Sequence, residues 1–115
     1  MTTYEQLLAD CIRWAKEAGR IQLELFRSDR LDIEAKFNDS DVVTNADKAS
    51  EKAIISEIRR AYPEHSVLSE EAGCDKRMND WLWVIDPLDG TTNYSSGLPN
   101  FCVSIGVQHK GQTVV

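Results

Sequence analysis

The chain has 115 residues, 42% of them hydrophobic, and it carries 19 acidic against 13 basic residues for a net charge of −6. This length suits one domain with a hydrophobic core, and no apolar run approaches the ~18 residues of a membrane span. The negative charge argues against nucleic acid as the main partner, since a phosphate backbone demands a positive footprint. An acidic site still accepts a small anion where metal cations lie between the two.

The N-terminus and the cysteines predict a cytoplasmic protein. The opening MTTYEQLLADCIRW has no basic segment ahead of an apolar stretch, as a signal peptide would have. The three cysteines are widely spaced and fit neither a disulfide framework nor a zinc site, so they are interpreted as reduced thiols. They are Cys11, Cys74 and Cys102.

Two amphipathic helices are predicted in the first half of the chain. Apolar residues recur at spacings of three and four from Thr3 to about Phe26, and again from Ala46 to Ala61. Thr44 or Asn45 caps the second helix, and Pro63 ends it. The first apolar stripe is Leu7, Leu8, Cys11, Ile12, Ala15, Ala18, Ile21, Leu25 and Phe26. The second is Ala46, Ala49, Ala53, Ile54, Ile58 and Ala61.

Short strands surround these helices. The segments LDIEAKF (31–37), VVT (42–44), SVLSEE (66–71) and WLWVID (81–86) have extended patterns, with a polar loop at 72–80. FCVSIGVQ (101–108) and QTVV (112–115) predict a hairpin turned at HKG. Because the chain stops on TVV inside a predicted strand, we expect it to be the front part of a longer protein.

The segment DPLDG (86–90) is a candidate metal site. Pro87 suits the second position of a tight turn, which would bring the carboxylates of Asp86 and Asp89 to one side with the carbonyl of Leu88. Carboxylates, a backbone carbonyl and water are the ligands that Mg²⁺ prefers. The alternative is a surface turn with a solvated aspartate at each end.

The residues after these aspartates suggest phosphate binding. Gly90–Asn93 supplies backbone N–H groups that form an anion cradle if a helix starts there. Other carboxylates lie at the ends of predicted elements: Glu70, Glu71, Asp41 and Asp47. Each of these carboxylates alone is typical of a solvated surface residue. They indicate a metal site only because they occur together.

Three blocks of the sequence resemble the inositol monophosphatase family of Mg²⁺-dependent, lithium-sensitive phosphatases. They are DVVTNADKASEKAI (41–54), YPEHSVLSEEAG (62–73) and WVIDPLDGTTNYSSGLPNFCVSIGV (83–107), in the family's order and spacing. The resemblance implies an α+β fold, a layered α/β/α/β/α sandwich of the sugar-phosphatase type. Residues 1–115 would be its N-terminal metal- and phosphate-binding part, with two helices packed on an antiparallel sheet. The resemblance also implies that a further aspartate ligand lies beyond Val115, so residues 1–115 alone are expected to be inactive.

The resemblance implies a role for each matched residue. Glu70 would bind the first metal, Asp86 would bridge two metals, the Leu88 carbonyl would bind the first and Asp89 the second. The residues implied to contact the substrate phosphate are Glu70, Leu88, Asp89, Gly90, Thr91 and Thr92.

The implied catalytic residues are Glu70, Thr91 and Asp47, which would orient the attacking water. Lys36 and Asp47 would form an outer site near a weaker third ion, so two or three Mg²⁺ ions are expected.

The implied function is Mg²⁺-dependent hydrolysis of a small phosphate monoester by metal-activated water. Inositol 1-phosphate is the first candidate substrate. GTTNY (90–94) is similar to the inositol monophosphatase branch, whereas the nucleotide-phosphatase branch tends towards GTKEF. The alternatives are a related sugar, histidinol or nucleotide phosphatase, and a non-catalytic Mg²⁺-binding or interaction module. The full-length protein is expected to be a homodimer without membrane association, and its partner is expected to be a small phosphorylated substrate.

Overall fold

Helices and strands form nearly where the sequence predicts them, in a computed structural model that describes residues 2–35 and 42–115. The helices are α1 (Tyr4–Leu25), α2 (Asn45–Ala61) and the short α3 (Thr91–Ser95). The strands in the described residues are β1 (Ile33–Ala35), β2 (Val42–Thr44), β3 (Ser66–Ser69), β4 (Gly73–Asp75), β5 (Trp81–Asp89), β6 (Cys102–His109) and β7 (Gln112–Thr113). The α+β prediction is confirmed. None of the helices in the described residues has both the length and the apolar composition needed to cross a membrane.

Both long helices begin with a capping box, in which side chains satisfy backbone N–H groups that have no partner inside the helix. Thr3 and Gln6 form the box of α1. In α2, the Thr44 hydroxyl accepts from the backbone N–H of Asp47 at 3.2 Å, and the Asp47 carboxylate accepts from that of Thr44 at 2.9 Å. The box holds the Asp47 side chain at the start of α2, where it faces the third helix.

The main sheet is mixed, which corrects the prediction of an antiparallel sheet. Its strand order is β4-β3-β5-β6-β7, and β3 runs parallel to β5 while the other pairs are antiparallel. The reason is β4, which forms within the predicted polar loop at 72–80 and pairs with the outer edge of β3. The chain then returns and enters β5 in the same direction as β3. The strands β1 and β2 form a separate antiparallel pair.

The core lies between α1, α2 and the sheet. Its buried members are Leu7, Cys11, Trp14, Ala18, Ile54, Ile58, Val67, Trp83, Ile85 and Val107. The predicted stripe of α1 was too wide, because Leu8 and Ile12 are 50% and 48% exposed. Trp14 and Gln22 are buried in their place, and they continue the spacing of three and four residues set by Leu7.

The buried face of α2 contains polar residues among its apolar ones. Ala46, Ile54 and Ile58 are buried as predicted, whereas Ala61 is exposed. The other buried members of this face are Asp47 and Ser50. Buried polar side chains need hydrogen-bond partners, and these two residues find theirs in Thr91 and Gln22.

A stack of rings closes the end of the core near the start of β5. The Trp81 ring lies 4.0 Å from that of His109 and 5.5 Å from that of His65, measured between centroids. The indole N–H of Trp83 donates to Nδ1 of His65 at 2.9 Å. His65 is therefore a structural residue, since its Nδ1 must stay unprotonated to accept this bond.

The free energy of unfolding should fall as the pH drops from 7 to 5. Burial lowers the pKa of His65 below its ordinary 6.5, with His109 adding to the effect and Glu64 opposing it. Below pH ~6.5 the unfolded chain therefore binds a proton that the folded chain resists. Denaturant unfolding at both pH values should show a smaller difference for His65→Asn, whose side-chain oxygen can accept from Trp83. The account would be contradicted if the loss of unfolding free energy between pH 7 and pH 5 were unchanged in His65→Asn but absent in the matched variant His109→Asn.

Candidate metal and phosphate site

The two aspartates of DPLDG lie on the same side of the sheet because of a β-bulge. Asp86 pairs with Ser104 and Asp89 with Cys102, so three steps along β5 match two steps along β6. Cross-strand partners point to the same side of a sheet, and residues two apart on a strand share a face. The extra residue of the bulge therefore returns Asp89 to the face of Asp86. The sequence predicted this outcome but assigned it to a tight turn, whereas the segment forms the end of β5.

Asp86 carries a buried oxygen with no hydrogen-bond partner. Among the residues described, the buried side-chain atoms in this state are Asp86 Oδ1 and Trp14 Nε1. A buried charged acceptor left unpaired costs more than the 1–3 kcal/mol typical of a neutral group. With the Asp89 carboxylate and the Leu88 carbonyl nearby in sequence, the local donor set consists of oxygen atoms. Such a set fits a hard cation such as Mg²⁺.

Asp47 connects α2 to the start of α3. The Thr91 hydroxyl lies 2.8 Å from Asp47 Oδ1 and 3.1 Å from the Leu88 carbonyl oxygen. The closer and charged carboxylate is the stronger acceptor. The other carboxylate oxygen, Oδ2, accepts from the backbone N–H of Thr44. Both oxygens of this buried carboxylate are therefore satisfied, and the Thr91 hydroxyl has a fixed direction.

Gly90 is required between β5 and α3. Its φ is +92°, a left-handed conformation that glycine adopts without strain. A Cβ at this position would lie 2.8 Å from the Asn100 carbonyl oxygen and 3.3 Å from Phe101 Cα. Any side chain would therefore push the loop away from the strand that follows. α3 begins at Thr91, directly after Gly90, as the predicted anion cradle requires.

Gln22 of α1 forms a hydrogen bond with the segment between the two aspartates, a contact that was not predicted from the sequence. Its side-chain Nε2 donates to the Pro87 carbonyl at 2.7 Å and lies 3.1 Å from the Ser50 hydroxyl. The hydroxyl of Tyr94 donates to the Gln22 carbonyl at 2.7 Å, and burial raises the pKa of Tyr94 to about 12, so it remains a donor. A polar residue four positions after the buried Ala18, within an apolar stripe, was the signal available in the sequence.

Glu70 lies in the turn that follows β3, at the same end of the sheet as Asp86, because Ser69 pairs with Ile85 in the parallel β3–β5 ladder. It is an exposed residue of the turn between β3 and β4, where β3 ends one residue earlier than Glu70 rather than after Glu71. Within the described part of the chain, no three His, Cys, Asp or Glu side chains gather into a group able to hold a metal ion. The structure thus joins Asp47, Thr91 and the Leu88 carbonyl directly, and it aligns Asp86 with Asp89. Glu70 and Asp86 each follow a paired residue of β3 and β5, and the role of Glu70 as a metal ligand stays a prediction.

Thr92 and Lys36 are the remaining predicted site residues. Thr92 is exposed in the first turn of α3. Lys36 lies outside the described residues, so of the predicted outer site only Asp47 is described.

A small cleft of about 270 Å³ opens beside Asp89. It is lined by Asp89, Gly90, Asn93, Asn100, Phe101 and Cys102. The Cys102 thiol lies 3.8 Å from Asp89 Oδ2. Burial raises the pKa of this thiol, and the neighbouring Asp89 charge adds to the effect, so the sulfur stays protonated and is a poor nucleophile.

A larger recess of about 900 Å³ lies at the opposite end of β5, beside Trp81 and His109. Among the described residues that line it, Asp80 carries the one carboxylate, and Lys76 and Arg77 are basic. Size alone would favour this recess. The smaller cleft is favoured because Asp89 and Gly90, which line it, belong to the segment that also carries Asp86 and the Thr91 hydroxyl. Carboxylates and a hydroxyl supply the chemistry that a cation and a phosphate need.

Known proteins are similar to this chain over most of its length. The profile described as "Inositol monophosphatase family" matches residues 3–115. The Nus factor SuhB of Pasteurella multocida is 48% identical over 111 residues, which cover 95% of this chain and 41% of the relative. The IMPase of Thermotoga maritima has a TM-score of 0.82 and 34% identity, over 92% of this chain and 41% of that one.

A further solved structure is an IMPase/NADP phosphatase complexed with Mg²⁺ and phosphate. It has a TM-score of 0.82 and 25% identity, over 98% of this chain and 43% of that one. The chain therefore spans less than half the length of each of these relatives.

Proposed function

Because the chain belongs to the inositol monophosphatase family, we propose that it supplies the metal- and phosphate-binding part of a Mg²⁺-dependent phosphatase. The substrate is a small phosphate monoester, and inositol 1-phosphate is the first candidate. The observation that carries the proposal is the buried, unpartnered Oδ1 of Asp86 on the face that it shares with Asp89. The Mg²⁺ and phosphate named for one structural relative support the same reading.

The residues that would hold the ions are Asp86, Asp89, the Leu88 carbonyl and Glu70. When bound, Mg²⁺ lowers the pKa of the attacking water and neutralises charge on the leaving oxygen. Asp86 and Asp89 lie on the same strand and have a fixed separation. The β-bulge and the hydrogen bond from Gln22 to the Pro87 carbonyl both hold this part of β5 in place. A fixed separation is what preorganised electrostatic stabilisation requires.

Thr91 has the geometry of a water-orienting residue. Its hydroxyl proton is directed to Asp47, so its oxygen lone pairs remain able to accept a hydrogen bond. A water molecule that donates to this oxygen would have its own lone pair directed elsewhere, towards the phosphorus in line with the leaving group. Asp47 acts through Thr91 in this arrangement and is a positioning residue.

The proposal is tested by measuring phosphate release by the protein at its full natural length. Inositol 1-phosphate should be hydrolysed in millimolar Mg²⁺ and left intact with excess chelator. Sugar, histidinol and nucleotide monophosphates, tested in parallel, assign the substrate class. Thr91→Val should abolish most of the turnover while Thr91→Ser retains it, because only serine keeps the hydroxyl. Absence of Mg²⁺-dependent release from every ester would refute the proposal.

A second candidate is the role named for the Pasteurella multocida relative, that of a Nus factor. This role does not require hydrolysis. An Asp86→Asn variant that loses Mg²⁺-dependent phosphate release but keeps Nus-factor function in cells would assign the two roles to separate features of the chain.

A further inference from the structure

The carboxylate of Glu51, on α2, holds the turn that contains Glu70. Its Oε2 accepts from the Ser69 hydroxyl at 2.6 Å, from the backbone N–H of Glu71 at 3.2 Å and from that of Ala72 at 3.0 Å. Hydrogen bonds to an ionised acceptor are roughly twice as strong as those between neutral groups. The three donors lie on both sides of Glu70 in the sequence, so this contact restrains the backbone before and after it.

The turn itself is short and tightly defined. Ser69 pairs with Gly73 across the β3–β4 hairpin, which leaves Glu70, Glu71 and Ala72 as a three-residue loop. Gly73 closes the loop with a φ of +79°, the left-handed conformation common at the end of three-residue hairpins. β3 is anchored in the core through Val67, whereas β4 is exposed along its whole length. The Glu51 contact therefore restrains the loop at the point where the hairpin leaves the core.

α2 carries the supports for both halves of the candidate site. Asp47 and Glu51 are four residues apart, which places them on the same face of the helix, one turn from each other. Asp47 holds the Thr91 hydroxyl beside the β5 end, and Glu51 holds the loop of Glu70. The helix thus contacts both the loop of Glu70 and the start of α3, next to the parallel pairing of β3 with β5.

We propose that Glu51 is a positioning residue that places Glu70 for binding a divalent cation. The proposal rests on the proposed function, because it requires Glu70 to be a ligand. Glu51 itself is not assigned as a ligand, since its Oε2 is already the acceptor for three donors.

The test compares Glu51→Ala with Glu51→Gln in the protein at its full natural length. Glu51→Ala removes the acceptor, so the Kd for Mg²⁺ by calorimetry should rise about tenfold or more, ~1.4 kcal/mol. Amide hydrogen exchange at Glu71 and Ala72 should also become faster, because both N–H groups lose their acceptor. Glu51→Gln keeps an acceptor oxygen and should recover most of the affinity. The matched control is Glu57→Ala on the same helix, where Glu57 contacts Arg60 and not the loop.

The outcomes separate this inference from the proposed function. An unchanged Kd in Glu51→Ala would overturn the positioning role, whether or not the protein is a phosphatase. Faster exchange at the loop with an unchanged Kd would also overturn it, because the loop would then be ordered for another purpose. A wild-type protein that binds Mg²⁺ in a Glu51-dependent way but releases no phosphate would refute only the phosphatase proposal. A wild-type protein that binds no Mg²⁺ would refute both.

Discussion

Replacing Asp86 with asparagine in the protein at its full natural length is expected to lower turnover by roughly a thousandfold, ~4 kcal/mol in the activation barrier. The amide has the same shape but no negative charge, so it cannot balance the charge of a cation between protein and phosphate. The fold should remain intact, because the pairing of Asp86 with Ser104 uses backbone groups. Because Oδ1 of Asp86 is buried without a hydrogen-bond partner, removal of the charge should leave the metal-free protein as stable as the wild type, or more stable.

The control for this variant is Asp75→Asn. Asp75 is an exposed carboxylate on β4 that pairs with Arg59 and Arg77, outside the candidate site. Its replacement should leave turnover within about twofold, or ~0.4 kcal/mol. If Asp86→Asn keeps more than about a tenth of wild-type activity, a loss of under ~1.4 kcal/mol, Asp86 does not have the central role assigned to it.

Saturating Mg²⁺ should raise the free energy of unfolding by about 2.7 kcal/mol at a hundred times its Kd. The physical reason is that Asp86 and Asp89 share one face of the sheet, where two carboxylates repel each other and a bound cation reverses the sign of the interaction. Denaturant unfolding with millimolar Mg²⁺, and again with chelator, measures the difference.

The double variant Asp86→Asn, Asp89→Asn is the control for metal-linked stability. It removes both charges with little change in shape, so its unfolding should be insensitive to Mg²⁺. A wild-type unfolding curve that is the same in Mg²⁺ and in chelator would show that the aspartates do not form a metal site in the folded chain.

Local patterns in the sequence predicted the helices because each pattern is set by neighbouring residues. Thr44 and Asn45 both suit the start of a helix, and the structure shows that Thr44 is the residue that caps α2. The predicted ends of α1 were correct to within a residue for the same reason. The alternating and apolar segments likewise located most of the strands.

Features that depend on distant residues were predicted poorly. The parallel pairing of β3 with β5 follows from β4, whose sequence Gly73-Cys-Asp75 has no strand pattern of its own. The bulge at Asp86 is visible only once β6 is aligned beside β5.

The candidate site shows the same division between local and distant information. The segment Asp86–Thr91 carries its predicted site residues within six positions of the chain, so the sequence alone places them together. Their supports come from far along the chain: Gln22 is 65 residues from Pro87, and Glu51 is 18 residues from Ser69. Glutamine and glutamate on a helix are usually surface residues, and only the tertiary contacts distinguish these two.

The location of a bound cation tests the central claim most directly. Mn²⁺ prefers the same oxygen ligands as Mg²⁺, and its unpaired electrons broaden the signals of nearby amides in nuclear magnetic resonance spectra. With substoichiometric Mn²⁺, the amides of Glu70–Ala72 and Asp86–Thr91 should lose intensity first. Those of Lys76–Trp81, which lie beside the larger recess at the other end of β5, should lose it last. Broadening centred on the larger recess, or no selective broadening, would contradict the assignment of this site.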